Sequence, residues 1–139
     1  MIAFDADILS ELFRGSPKHV RRAEAIPADE QTLPVVVMEE ILRGRLNEIR
    51  RAEAGKSRIS IERAYDLFQE TAEYLRQFRV LSYSPEAERL FQGWRQEKIH
   101  VGTHDLRIAA ICVVHSTRLI SRNRRDFESV PGLSVEYWE

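Results

Sequence analysis

Short β-rich runs in this sequence hand over almost at once to helical patterns, and acids stand at the handovers; no other feature constrains the fold as much. Ile2 to Phe4 is an apolar run ended by Asp5, and Asp7 then occupies an expected helix N-cap before Ile8, Leu9 and Leu12. Leu33 to Val37 is a β-branched run that reads as a buried strand, followed by Met38, Ile41, Leu42, Leu46 and Ile49 on one helical face. After the break at Gly55 to Ser57, the apolar spacing between Ile59 and Phe78 predicts a long amphipathic helix. Arg79 to Tyr83 reads as a third strand, and Ser84-Pro85 opens a helix that turns Ala87, Leu90, Phe91 and Trp94 inward. Gly102-Thr103 starts another helix, apolar almost all round from Leu106 to Val114, and Arg118 to Ser121 and Ser134 to Trp138 complete about five strands. Strands alternating with helices of this length predict an α/β fold with a mostly parallel sheet and helices on both faces.

Ligands of such sheets bind just outside the carboxyl ends of the strands, so the residues there are the first candidates for chemistry. Asp5 and Asp7 follow the first strand, Glu39 and Glu40 the second, and Asn123 and Asp126 the fourth. Asp105 joins them from the first turn of the apolar helix, where the helix dipole favours a carboxylate. Asp5 is poorly explained as a cap, whereas Asp7 is well explained as one. Periodicity does not separate Glu39 from Glu40, and Asn123 and Asp126 equally fit a short turn before Phe127. Acids that repel one another need a counterion, and Mg²⁺ or Mn²⁺, hard ions that prefer oxygen, supply one. With water in the coordination shell, such an ion can polarise a phosphodiester and activate the attacking water without a protein nucleophile.

Composition excludes other classes. The chain has 139 residues, 43% of them hydrophobic, no repeat and no low-complexity linker, which predicts one domain over residues 1–139. With 31% charged residues, no apolar run long enough to span a bilayer and a strand-like start at Met1, a soluble cytoplasmic protein is expected. Its single cysteine, Cys112, sits in an apolar run and reads as a core thiol. A net charge of -1 gives no overall pull on nucleic acid, which leaves local basic clusters: Arg43, Arg45, Arg50, Arg51, Lys56 and Arg58, and Arg118, Arg122, Arg124 and Arg125. His19 and His115 have no partner at metal-ligand spacing, and His100 and His104 read as loop histidines, so zinc is not expected.

Phe4-Asp5-Ala6-Asp7-Ile8-Leu9-Ser10 resembles the opening of the PIN-domain ribonucleases of VapC type. Glu40-Ile41-Leu42-Arg43-Gly44 resembles their Glu-Leu-x-x-Gly segment, and Gly102 to Ala110 their Gly-x-x-Asp-x-x-Ile-Ala-Ala helix start. Ser121 to Phe127 followed by Val130-Pro131-Gly132-Leu133 resembles their ending. The resemblance covers essentially the whole chain. It implies a parallel five-stranded sheet between helices, dependence on Mg²⁺ or Mn²⁺, and endonucleolytic cleavage of structured or single-stranded RNA, tRNA included. It also implies a homodimer and a cognate antitoxin that covers the acidic groove. By position, Asp5, Glu40 and Asp105 would be the core metal-holding acids, with Asp126 and Asn123 completing the rim.

Ala6 stands where that family carries Thr or Ser, and Ser121 where Thr is common. A hydroxyl at position 6 could hold a metal ligand; its loss predicts roughly tenfold weaker metal affinity unless another group replaces it. This is the one hint of a catalytically weak, RNA-binding or regulatory member of the fold. An Asp-x-Asp after a first strand also opens phosphatases of the haloacid-dehalogenase type, but those place a Gly-Thr pair after the second Asp, where this chain has Ile8-Leu9. A phosphoacceptor receiver module would need an Asp after the third strand, where Ser82-Tyr83-Ser84 stands.

Overall fold

The computed structural model describes all residues, Met1–Glu139. Strand β1 (Ile2–Phe4) is joined to helix α1 (Ala6–Phe13) by Asp5 alone. Asp5 has extended dihedrals and its carboxylate accepts the Ala6 N–H at 2.8 Å, so Asp5, not Asp7, is the N-cap. The cause is tertiary. The Asp5 N–H still bonds to the Ile120 carbonyl of the neighbouring strand at 2.9 Å, and the chain coils directly afterwards, leaving no linker for Asp7 to cap. Asp7 lies within the first turn, where its carboxylate accepts the Ile8 N–H at 2.7 Å.

Helix α2 (Pro17–Glu24) and a short 3₁₀ turn (Ala28–Glu30) lead to β2 (Gln31–Pro34), and α3 (Val35–Glu53) starts at the next residue. The expected strand from Leu33 to Val37 is therefore divided, and Val35, Val36 and Val37 form the first turn of α3. β-Branched residues favour a strand only where a partner exists. Here β1 pairs β2 only as far as Thr32, and β3 pairs it only as far as Pro34, so beyond Pro34 no ladder remains. Val36 and Val37 are buried as helical residues instead.

The chain continues through α4 (Ile61–Leu75), β3 (Arg79–Leu81), α5 (Pro85–Gln96), α6 (Thr103–Val114), β4 (Arg118–Ser121), α7 (Arg124–Phe127) and β5 (Val135–Tyr137). All strand pairs are parallel, in the order β3-β2-β1-β4-β5. Strands β1 to β3 advance in one direction, and the α5–α6 crossover then carries the chain back past β1 to place β4 on its other side. The reversal between β1 and β4 opens a crevice at their carboxyl ends, the position where sheets of this kind bind ligands.

One apolar cluster of 27 buried residues runs from Ala3 to Trp138. Phe4 is fully buried and meets Phe78 and Trp138 edge to face, with ring centroids 6.0 and 5.8 Å away. Helix α6 buries Leu106, Ile108, Ala109, Ala110, Ile111 and Cys112, which accounts for its apolar circumference. Burial holds the Cys112 thiol far above its ordinary range, as befits a core residue. No helix is long and apolar enough to cross a membrane.

Candidate metal centre

Asp5 reaches the crevice from the end of β1 and is only 6% exposed. Its Oδ2 accepts a 2.6 Å hydrogen bond from Ser121 Oγ, at the end of β4, while Oδ1 serves the Ala6 N–H. Burial raises its pKa to about 6, the Ser121 hydroxyl opposes the rise, and the nearby charge of Asp7 adds to it. Ser121 is fully buried and also accepts the Asn123 N–H at 2.9 Å, so one hydroxyl orients both the acid and the turn beyond β4. Sequence reasoning treated Ser121 only as a variant of Thr; its role depends on a contact across 116 residues of chain. It gives Asp5 a hydroxyl partner although Ala6 has none to offer.

Glu40 lies one turn into α3. Burial pushes its carboxyl up to about 7, with Asp5 and Glu39 adding to the rise and Arg43 opposing it. Glu39, its neighbour, is exposed and paired with Arg43. Asp105 sits in the first turn of α6, which begins at Gly102 without a side-chain cap. Its carboxyl is also raised to about 7, first by burial and then by the nearby Asp5, Glu40 and Asp126. Asn123 caps the short helix α7: its Oδ1 accepts the Asp126 N–H at 3.3 Å, and its Nδ2 donates to Asp126 Oδ2 at 2.8 Å. Asp5, Glu40, Asp105 and Asp126 thus arrive from four elements and are close enough to perturb one another.

The donor set is all carboxylate oxygen, with protonation favoured by burial and mutual repulsion, an environment a cation would relieve. No three or more His, Cys, Asp or Glu side chains close into a cage. Mg²⁺, which prefers oxygen and keeps several waters, is an ion this donor set fits, and Asp5, Glu40 and Asp105 are the residues that would hold it.

Asp7 points elsewhere. It and Glu11 face Arg122 at 3.8 and 3.9 Å. The second basic cluster is largely engaged in this way: Arg118 pairs with Glu136, and Arg124 lies 4.2 Å from the centroid of the Tyr137 ring. In the first cluster Arg45 is internal, donating to Thr71 Oγ1 at 2.9 Å and to Glu48 at 2.8 Å. His104 is not a loop residue. It occupies the first turn of α6 with its ring against Glu39 and Glu40, at 3.6 and 3.7 Å.

A groove of about 780 Å³ adjoins the crevice between α1, α3 and α4, sharing Glu40 with it but floored by Leu9, Phe13, Ile41, Leu67 and Leu75.

Known proteins share this architecture. A toxin-antitoxin complex from Klebsiella pneumoniae contains a chain 25% identical to this one, covering 96% of this chain and 95% of that one, with a TM-score of 0.71. VapBC2 from Rickettsia felis, bound to a DNA fragment from its promoter, contains a chain of 19% identity and TM-score 0.76 that covers 100% of both chains; it speaks for the fold. Ribonuclease VapC1 from Rickettsia felis is 36% identical over 47 residues, 34% of this chain, and the match spans about a third (35%) of that relative's length. The sequence profile of the PIN domain matches residues 2–133. That match sets aside the phosphatase and receiver alternatives, and the chain belongs to the PIN-domain family.

Proposed function

We propose that this protein is a divalent-metal-dependent endoribonuclease and the toxin of a toxin-antitoxin pair. The observation that carries this reading is the convergence of Asp5, Glu40 and Asp105, from three separate elements, on one crevice where each is held above the ordinary carboxylate range by burial and neighbouring acids. A hydrated Mg²⁺ or Mn²⁺ ion held there would supply the charge needed to polarise a phosphodiester and activate water. Asp5, Glu40 and Asp105 would hold the ion, Asp126 extends the rim from α7, and Asn123 hydrogen-bonds to Asp126. Ser121 keeps the Asp5 carboxylate oriented, which supports an active enzyme over a catalytically silent relative. The partial match to a ribonuclease and the resemblance to a chain of a toxin-antitoxin complex support RNA as substrate and a small antitoxin as partner.

Purified protein incubated with mixed tRNA and with a single-stranded RNA should cleave in the presence of Mn²⁺ or Mg²⁺ and stop on addition of EDTA. Cleavage indifferent to EDTA would refute the metal dependence. Co-expression with the product of the adjacent reading frame should yield a stable complex that suppresses cleavage.

A further inference from the structure

One stretch of the crevice rim is strongly positive. Arg122, Arg124 and Arg125 stand within four consecutive residues after β4, and all three are exposed. The turn that carries them is fixed to the acids. Ser121 donates to Asp5 at 2.6 Å and accepts the Asn123 N–H at 2.9 Å, while the Asn123 amide donates to Asp126 at 2.8 Å. The hydrogen bonds that orient two of the acids therefore also anchor three cations beside them.

The contacts of these arginines place their guanidinium groups without using up the N–H donors. Arg122 lies 3.8 Å from Asp7 and 3.9 Å from Glu11, beyond hydrogen-bond reach. Both acids have closer partners, since Asp7 accepts the Ile8 N–H at 2.7 Å and Glu11 accepts from Arg14. Arg124 lies over the Tyr137 ring, 4.2 Å from its centroid, and a stacked guanidinium keeps the donors in its own plane available. Asp126, the acid within the turn, is directed to Asn123 rather than to an arginine. Arg118 differs from all three: it opens β4 at the opposite end of the strand from Ser121 and pairs with Glu136.

We propose that Arg122, Arg124 and Arg125 form a docking track for the phosphates of an RNA strand on either side of the bond presented to the crevice. The proposal rests on the ribonuclease reading given above and adds the surface that holds the substrate. A net charge of -1 gives the chain no overall attraction for a polyanion, and the crevice acids repel one, so the attraction must come from cations fixed nearby. Guanidinium groups suit the task because their rigid forks match phosphate oxygens two at a time. The three spread along the rim from α1, where Arg122 faces Asp7 and Glu11, to β5, where Arg124 meets Tyr137. A polynucleotide carries phosphates at regular intervals, so one strand meets the track and the crevice together. An acidic protein segment has no such repeat, and its carboxylates would be repelled by those of the crevice.

The test is equilibrium binding of a fluorescein-labelled single-stranded RNA to the full chain in EDTA, repeated over a range of salt concentrations. The combined variant Arg122→Gln, Arg124→Gln, Arg125→Gln should bind about tenfold or more weakly at low salt. Its plot of log affinity against log salt should flatten by about 2, three phosphates at about 0.7 each. Arg122→Lys keeps the charge and loses the fork, so it should retain the salt slope and lose only part of the affinity. Arg118→Gln removes the same charge at the far end of β4 and should change neither. An unchanged slope in the combined variant overturns the proposal, and so does a loss in Arg118→Gln equal to that in Arg122→Gln. Intact RNA binding by the combined variant, together with loss of its complex with the product of the adjacent reading frame, also overturns it, because the arginines would then face a protein. An unaltered chain that cleaves RNA with Mn²⁺ but does not bind it in EDTA refutes the track and leaves the ribonuclease reading standing. A chain that neither binds RNA nor cleaves it with Mn²⁺ refutes both.

Discussion

The acidic crevice and the groove beside it share Glu40 yet differ in nearly every physical respect. The groove encloses about 780 Å³, and its floor is aliphatic and aromatic. The crevice gathers carboxylates whose pKa values are raised by burial and by one another. Apolar side chains lining a groove gain from being covered, whereas clustered carboxylates gain only from a counterion.

The comparison predicts a large effect from a charge change in the crevice and little from a volume change in the groove. Asp105→Asn should reduce RNA cleavage at least about a hundredfold, since even outer partners of metal ligands are worth 10- to 100-fold. Leu67→Ala, in the groove, should leave cleavage at its original level. Comparable losses in the two would merge the regions functionally. Ser121→Ala removes the hydroxyl that orients Asp5 and accepts the Asn123 N–H, and should cost about 1–3 kcal/mol in denaturant unfolding, together with weaker Mg²⁺ binding. Unaltered stability would mean that the buried hydroxyl is not an effective link between β1 and β4.

The crevice also has a pH signature with a definite sign. Asp5, Glu40 and Asp105 are raised to about 6, 7 and 7, so between about pH 4 and 7 the folded protein retains protons that the unfolded chain has released. Their contribution to stability is therefore most favourable below pH 4, falls as the pH rises to about 7, and is level above that. Asp105→Asn should accordingly raise the melting temperature of the metal-free protein at pH 7.5 and leave it unchanged below pH 4. Mg²⁺ at neutral pH should raise the melting temperature of the unaltered chain but not of the variant; a hundredfold excess over its Kd is worth about 2.7 kcal/mol. A variant less stable at pH 7.5 would contradict carboxylate crowding. The smallest effect belongs to Arg122→Ala, whose ion pairs with Asp7 and Glu11 are long and solvent-facing, and which should change stability by no more than about 1 kcal/mol.

Much of the fold was legible in the chain because period and handover are local properties. Ile2–Phe4 before an acid, and the apolar circumference of Leu106 to Val114, carry their meaning within one window of sequence. Leu33 to Val37 misled for the opposite reason: where β2 stops is decided by the lengths of β1 and β3, not by its own valines. The N-cap moved from Asp7 to Asp5 because β4 holds the Asp5 N–H at the last rung of the sheet. His104 looked like a loop residue until α6 was seen to start at Thr103 and bring the ring to α3.

The alternation of strands and helices and the parallel sheet could be read from the chain alone, because hydrophobic period is written locally; the acids Asp5, Glu40, Asp105 and Asp126 with Asn123 were candidates there, Glu40 chiefly through the family resemblance. Only the tertiary structure decided that Ser121 holds Asp5, that His104 faces Glu40 and that Asp7 turns to Arg122. These are contacts between elements far apart in the chain, set by strand order and helix packing, and no local pattern encodes them.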